Sequence, residues 1–152
     1  EAHELQRRAT AAQVALQQLN RQINDATPKV RDGASVPADV KSKYDAFTKE
    51  WDAVRKKFGV GIPVAAGRGG GGGGRGGAPD PENVVARIGA AKSSVGAFWE
   101  MPSASVMKQY ADAKDALPKA IADANAFIAK ANAMANTLKA QNITLTVPAA
   151  IK

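Results

Sequence analysis

Residues 40–58 read VKSKYDAFTKEWDAVRKKF and set Val40, Tyr44, Phe47, Trp51, Val54 and Phe58 at steps of 4, 3, 4, 3 and 4. A step averaging about 3.5 residues keeps all of these side chains on one narrow stripe of an α-helix, the seam geometry of coiled coils and helical bundles. The same rhythm runs upstream through Leu5, Ala9, Ala12, Leu16, Leu19 and Ile23, and downstream through Val84, Ile88, Ala91, Val95 and Phe98. A longer series follows in Val106, Tyr110, Ala113, Leu117, Ala120, Ala124, Phe127, Ala131, Met134 and Leu138. Only Ile143, Leu145 and Val147 alternate in the manner of a strand.

The punctuation fits four helices. Thr27-Pro28 and residues 32–37 close the first helix and open the second, with Ser35 as its cap and Pro37 in its first turn. Gly59 and Gly61 stop the second helix after Phe58. Asp80, Pro81 and Glu82 offer the third helix a cap, a first-turn proline and a first-turn acid. Met101-Pro102-Ser103 separates the third from the fourth, which runs from about Ser103 to Ala140, roughly 55 Å at ~1.5 Å per residue. Pro118 falls inside it, predicting a kink near Ala113 to Leu117 or a break into two helices. Between the second and third helices, residues 67–77 are glycine except for Arg68 and Arg75, a composition with nothing to bury. The expected fold is all-α and four-helix bundle-like. It has one antiparallel hairpin over 1–60, a Gly/Arg-rich linker over 61–79, a second hairpin over 80–140 and an extended tail over 141–152.

Composition narrows the chemistry. Lys and Arg number 21 against 14 Asp and Glu, giving a net charge of +7, and there is no cysteine, which removes disulfides, thiolate metal sites and cysteine nucleophiles. Alanine supplies 32 residues and aromatics only 5 %, so the apolar content is mostly methyl groups suited to close helix packing. No stretch approaches the ~20 apolar residues of a membrane-spanning helix. His3 is the sole histidine, and Asp112, Asp115 and Asp123 lack a second cluster to complete a hard-ion site. Acids stand beside lysines at helical spacing, as Asp45 does with Lys49, which indicates surface pairing rather than acid–base catalysis. Ser93 and Ser94 lack a nucleophile-elbow pattern, and the glycine tract lacks the Gly-Lys-Ser/Thr ending of a phosphate loop. Asn142-Ile143-Thr144 matches the short glycosylation triplet. No catalytic residue, cofactor or metal is expected.

What remains is surface. The charge is spread along the chain, so Arg55, Lys56 and Lys57 form its one local basic cluster. Arg68 and Arg75 each open an Arg-Gly-Gly triplet, a segment type that binds single-stranded nucleic acid through charge and stacking. Trp99 lies beside a seam position and, with Met101, forms a candidate anchor for a partner.

Several segments together resemble the helical C-terminal region that follows the β-propeller in secreted bacterial proteins with BNR or sortilin-type repeats, often labelled glycosyl-hydrolase-like. They are Glu1 to Arg8, the Gly/Arg tract leading into Asp80-Pro81-Glu82-Asn83-Val84, Gly89-Ala90-Ala91-Lys92 with Phe98-Trp99, and Ala116-Leu117-Pro118-Lys119-Ala120. The resemblance implies export to the periplasm or beyond and processing from a larger precursor, in keeping with a chain that opens at Glu1 directly into a helical pattern. The Asp-box motif of such propellers is not in these residues, so no glycosidase site carries over.

The expected function is a non-catalytic scaffold subunit, periplasmic or extracellular, docking on an acidic or membrane-associated protein complex through shape and positive charge. An extrinsic polypeptide bracing a photosynthetic reaction-centre and antenna complex meets that description. The tail and the glycine tract are expected to drape along partner grooves. The alternatives are an accessory domain stabilising a secreted propeller hydrolase and single-stranded nucleic-acid binding through Arg68 and Arg75.

Overall fold

The computed structural model describes residues 2–61, 81–96 and 103–152. Four helices follow one another: α1 (Ala2–Asp32), α2 (Ala38–Lys57), α3 (Val84–Gly96) and α4 (Ala104–Lys139), with no strand among the described residues. The all-α, bundle-like architecture follows from the seams. Leu16, Leu19, Tyr44, Phe58, Leu117 and Leu138 are fully buried, and among the described residues every buried one is apolar or aromatic.

Helix ends depart from the sequence reading where packing outweighs local punctuation. Thr27-Pro28 does not close α1, which continues to Asp32. Ala26 and Val30, on either side of the proline, are both buried, and their burial holds the turn that Pro28 would weaken. One turn earlier, the Ile23 carbonyl accepts the Thr27 hydroxyl at 2.7 Å and the Tyr44 hydroxyl at 2.9 Å. Ser35 does not cap α2: Pro37 holds the N-cap position, with no side-chain cap hydrogen bond. Asp45 pairs across to Arg31 at 3.3 Å instead of with Lys49. The cap of α3 is Asn83, whose Oδ1 accepts the Ala86 amide at 3.0 Å, so Pro81 and Glu82 form the turn before the helix. Ser103 caps α4 as expected, accepting from the Val106 amide. Pro118 leaves α4 unbroken, because Leu117, Ala120 and Ile121 around it are buried.

Two helices end in the same way. At the end of α2 the Gly59 amide donates to Lys56 and the Val60 amide to Arg55. At the end of α4 the Asn142 amide donates to Lys139 and the Ile143 amide to Leu138. Both are Schellman turns, with Gly59 (φ 63°) and Asn142 (φ 57°) in the left-handed position and a buried Val60 or Ile143 folding back onto the helix.

Cross-helix contacts fix the directions. Gln13 donates to the Phe58 carbonyl and Trp51 Nε1 to Asn20 Oδ1, each at 3.0 Å, so α1 and α2 run antiparallel. Lys57 pairs with Asp123 and Glu50 with Lys130; in both pairs the residue numbers add to 180, so α2 and α4 are also antiparallel. The long helices α1 and α4 are therefore parallel to each other and extend well past the end of α2. There α3 takes over: it packs extensively on α1 and α4 and barely touches α2. Gly59 and Asn83 meet at the junction. The expected hairpins are present, with α2 and α3 laid end to end as one interrupted rod beside α1 and α4. All four helices share one core, in which Phe127 stacks on Phe47 at 4.8 Å and lies 5.2 Å from Trp51.

The tail, residues 143–152, returns along the seam between α1 and α4. Ile143 and Leu145 are buried, the Thr146 amide donates to Gln22, and the Asn125 side chain both donates to and accepts from the Ile151 backbone, at 2.9 and 2.7 Å. The tail drapes on its own bundle.

Candidate functional site

The basic cluster at the end of α2 does not act as a patch. Neighbours on a helix point about 100° apart. Arg55 turns toward α1, bonding Asp52 at 2.6 Å and the Gly61 carbonyl at 3.0 Å, where it braces the helix end. Lys57 turns the other way to Asp123 on α4, at 2.5 Å. Lys56, between them, is exposed and makes no ion pair or hydrogen bond among the described residues. Arg68, Arg75, Trp99 and Met101 lie outside the described residues, as does Phe98.

Where α1, α2 and α4 run side by side they leave three seams. The α1–α4 seam is filled by the tail. The α1–α2 seam is polar, lined by Asn20, Asn24, Thr27, Thr48, Asp52 and the two arginines at 31 and 55. Both arginines are held by Asp45 and Asp52, so this seam spends its charge internally. At its floor Tyr44 is fully buried. Burial pushes its phenol pKa above the usual 10.0, against a smaller opposing effect of the hydrogen bond with Thr27.

The α2–α4 seam is different. Near the α2–α3 junction it opens into a groove of ≈ 520 Å³ whose apolar floor is Ala53, Val84, Ala116 and Ala120. It continues over Val54, Ala126 and Phe127 to Ala46, Phe47, Ala133 and Met134. Its walls carry Lys43, Lys56 and Lys57 on α2 and Lys119 and Lys130 on α4. Glu50 and Asp123 are tied by ion pairs to Lys130 and Lys57, while Lys43, Lys56 and Lys119 have no such partner among the described residues. A lysine-rimmed trough with a methyl floor can seat an apolar ridge flanked by acids. It holds no convergent set of metal donors among the described residues.

Of the residues singled out from the sequence, Lys56 and Lys57 reach this groove and Arg55 does not. Lys43, Lys119 and Lys130 were missed because charge was weighed along the chain rather than by helix face. The signal was there: positions 43, 50 and 57 are two turns apart on α2, as 123 and 130 are on α4. No helix among the described residues is long and apolar enough to cross a membrane. Compared with known protein families, curated proteins and solved structures, the chain matches none.

Proposed function

We propose that this chain is a non-catalytic helical interaction module that docks on a protein partner of acidic surface, as a scaffold or accessory part of a larger assembly. The observation that supports this is the surplus of unspent positive charge on a stiff bundle. Arg21, Lys43, Lys49, Lys56, Lys119 and Lys139 stand exposed with no ion pair among the described residues, on a chain of net charge +7. Such charge speeds encounter with an acidic surface and sets orientation on it, while the apolar α2–α4 seam supplies contact area. The resemblance to helical regions behind exported β-propellers adds the proposal that the assembly is periplasmic or extracellular.

The test is isolation of the native chain from its source cells at low and high salt. Co-migration with a stoichiometric protein partner near ~50 mM salt, and release near ~1 M salt as screening shortens to about 3 Å, is the expected result. Migration at the monomer mass at low salt refutes the reading.

A further inference from the structure

We infer that the α2–α4 groove receives an acidic amphipathic α-helix of the partner, an inference that rests on the interaction-module reading above. The groove is the one seam of the three that is apolar and covered by no described residue: its α1–α4 counterpart holds the tail, and its α1–α2 counterpart is polar and internally paired. Two antiparallel rods leave a long concave trough between them, and a third rod fits it. The alanine floor at 46, 53, 126 and 133 allows the close axial approach, about 8–10 Å, of ridges-into-grooves packing.

Charge selects the occupant. Lys56 and Lys119 face each other across one end, and Lys43 stands on the wall at the other. Three acids, Glu50, Glu82 and Asp123, line the groove against five lysines, and Asp123 and Glu50 are already paired with Lys57 and Lys130, so an incoming segment meets net positive rims. From Lys43 to Lys57 the trough spans about 21 Å, which matches a helix of about four turns. Its complement carries small or branched apolar residues at i, i+3, i+4 and i+7, with Glu or Asp on both flanks. A flat lipid surface matches a concave trough poorly, and the bulky apolar residues exposed among the described residues, Val14 and Met107, do not line the groove. The floor aromatics Phe47 and Phe127 are buried against each other, so they offer no face on which bases can stack.

The experiment uses the full chain and a fluorescein-labelled helical peptide of about 20 residues, with a Leu/Ala stripe and Glu flanks, followed by anisotropy. A scrambled peptide of the same composition, anionic vesicles and single-stranded DNA are run in parallel. The expected result is saturable binding of the patterned peptide, weakened at least about tenfold by the triple variant Lys43→Glu, Lys56→Glu, Lys119→Glu. Ala126→Trp, which fills the trough without touching its charges, is expected to weaken binding similarly, with both variants keeping the helical circular dichroism of the parent. Equal binding of the scrambled peptide, preference for vesicles or DNA, or indifference to Ala126→Trp overturns the inference. In the native isolation, a complex that survives in the triple variant refutes the groove and leaves the module reading standing. No complex with the parent chain refutes the module reading itself.

Discussion

Gly59 closes α2 so near Asn83 that a β-carbon on it would stand 2.5 Å from the Asn83 side-chain Nδ2. The same glycine holds the left-handed turn at φ 63°, and the same asparagine caps α3, so the stop of one helix and the start of the next are a single contact.

Gly59→Ala is therefore expected to cost more than the ~1 kcal/mol typical of an alanine forced into left-handed backbone, because the cap of α3 must also shift. At the equivalent turn of α4, Asn142 is exposed and already holds a left-handed φ that glycine adopts without cost, so Asn142→Gly is expected to be neutral or slightly stabilising. Urea unfolding of both variants checks the asymmetry; equal effects would show that the junction contact carries no weight.

Because Gly59 and Asn83 touch, the chain between them leaves and returns at one place. Replacing residues 62–80 by three glycines is expected to preserve helical circular dichroism and to raise stability by about 1 kcal/mol through the shorter closure. Loss of helix content in that variant would contradict the end-to-end placement of α2 and α3.

The buried Tyr44 hydroxyl, bonded to Ile23 at 2.9 Å, ties α2 to α1. Tyr44→Phe is expected to cost about 1 kcal/mol at neutral pH. Burial raises the Tyr44 pKa above 10.0, so above about pH 10 an unfolded tyrosine loses its proton while the folded one keeps it. The unfolded state then binds fewer protons, and stability contributed by this residue falls as pH rises toward the folded pKa. The phenylalanine variant lacks that loss, so the stability gap between the two proteins is expected to narrow between about pH 9 and 11, as measured by denaturant titration.

Asn125 imitates a strand partner for Ile151, giving one hydrogen bond and taking another. Asn125→Ala is expected to speed amide hydrogen exchange at Ile151 and to lower stability by about 1–2 kcal/mol, with exchange in the middle of α2 unchanged at early times. A tail as protected as in the parent would mean that Ile143 and Leu145 alone hold it.

Much of this architecture was legible because methyl and aromatic positions recur every three or four residues. Tyr44, Phe47, Trp51, Val54 and Phe58 are all buried, as are Ala113, Leu117, Ala120, Ala124, Phe127 and Ala131. Local punctuation misled where burial outbid it: Val30 keeps α1 helical past Pro28, and Leu117 with Ala120 does the same for α4 around Pro118. The tandem placement of α2 and α3 was not legible, since it depends on relative helix lengths and on a junction between residues far apart in sequence. The groove was half legible. Its lysines are scattered along the chain and converge only when 43, 56 and 57 are set against 119 and 130 across two antiparallel helices.

The paired lysines and acids also answer a hazard of repeating seams. A heptad pattern packs almost as well after one helix slides by seven residues. Slide α4 one way and Lys57 faces Lys130; slide it the other way and Glu50 faces Asp123. Each misalignment sets like charges against each other. Two modest surface pairs thus contribute less to holding the helices together than to forbidding their near-degenerate competitors, along a seam where the alanines of α4 at 113, 120, 124 and 131 discriminate weakly between them.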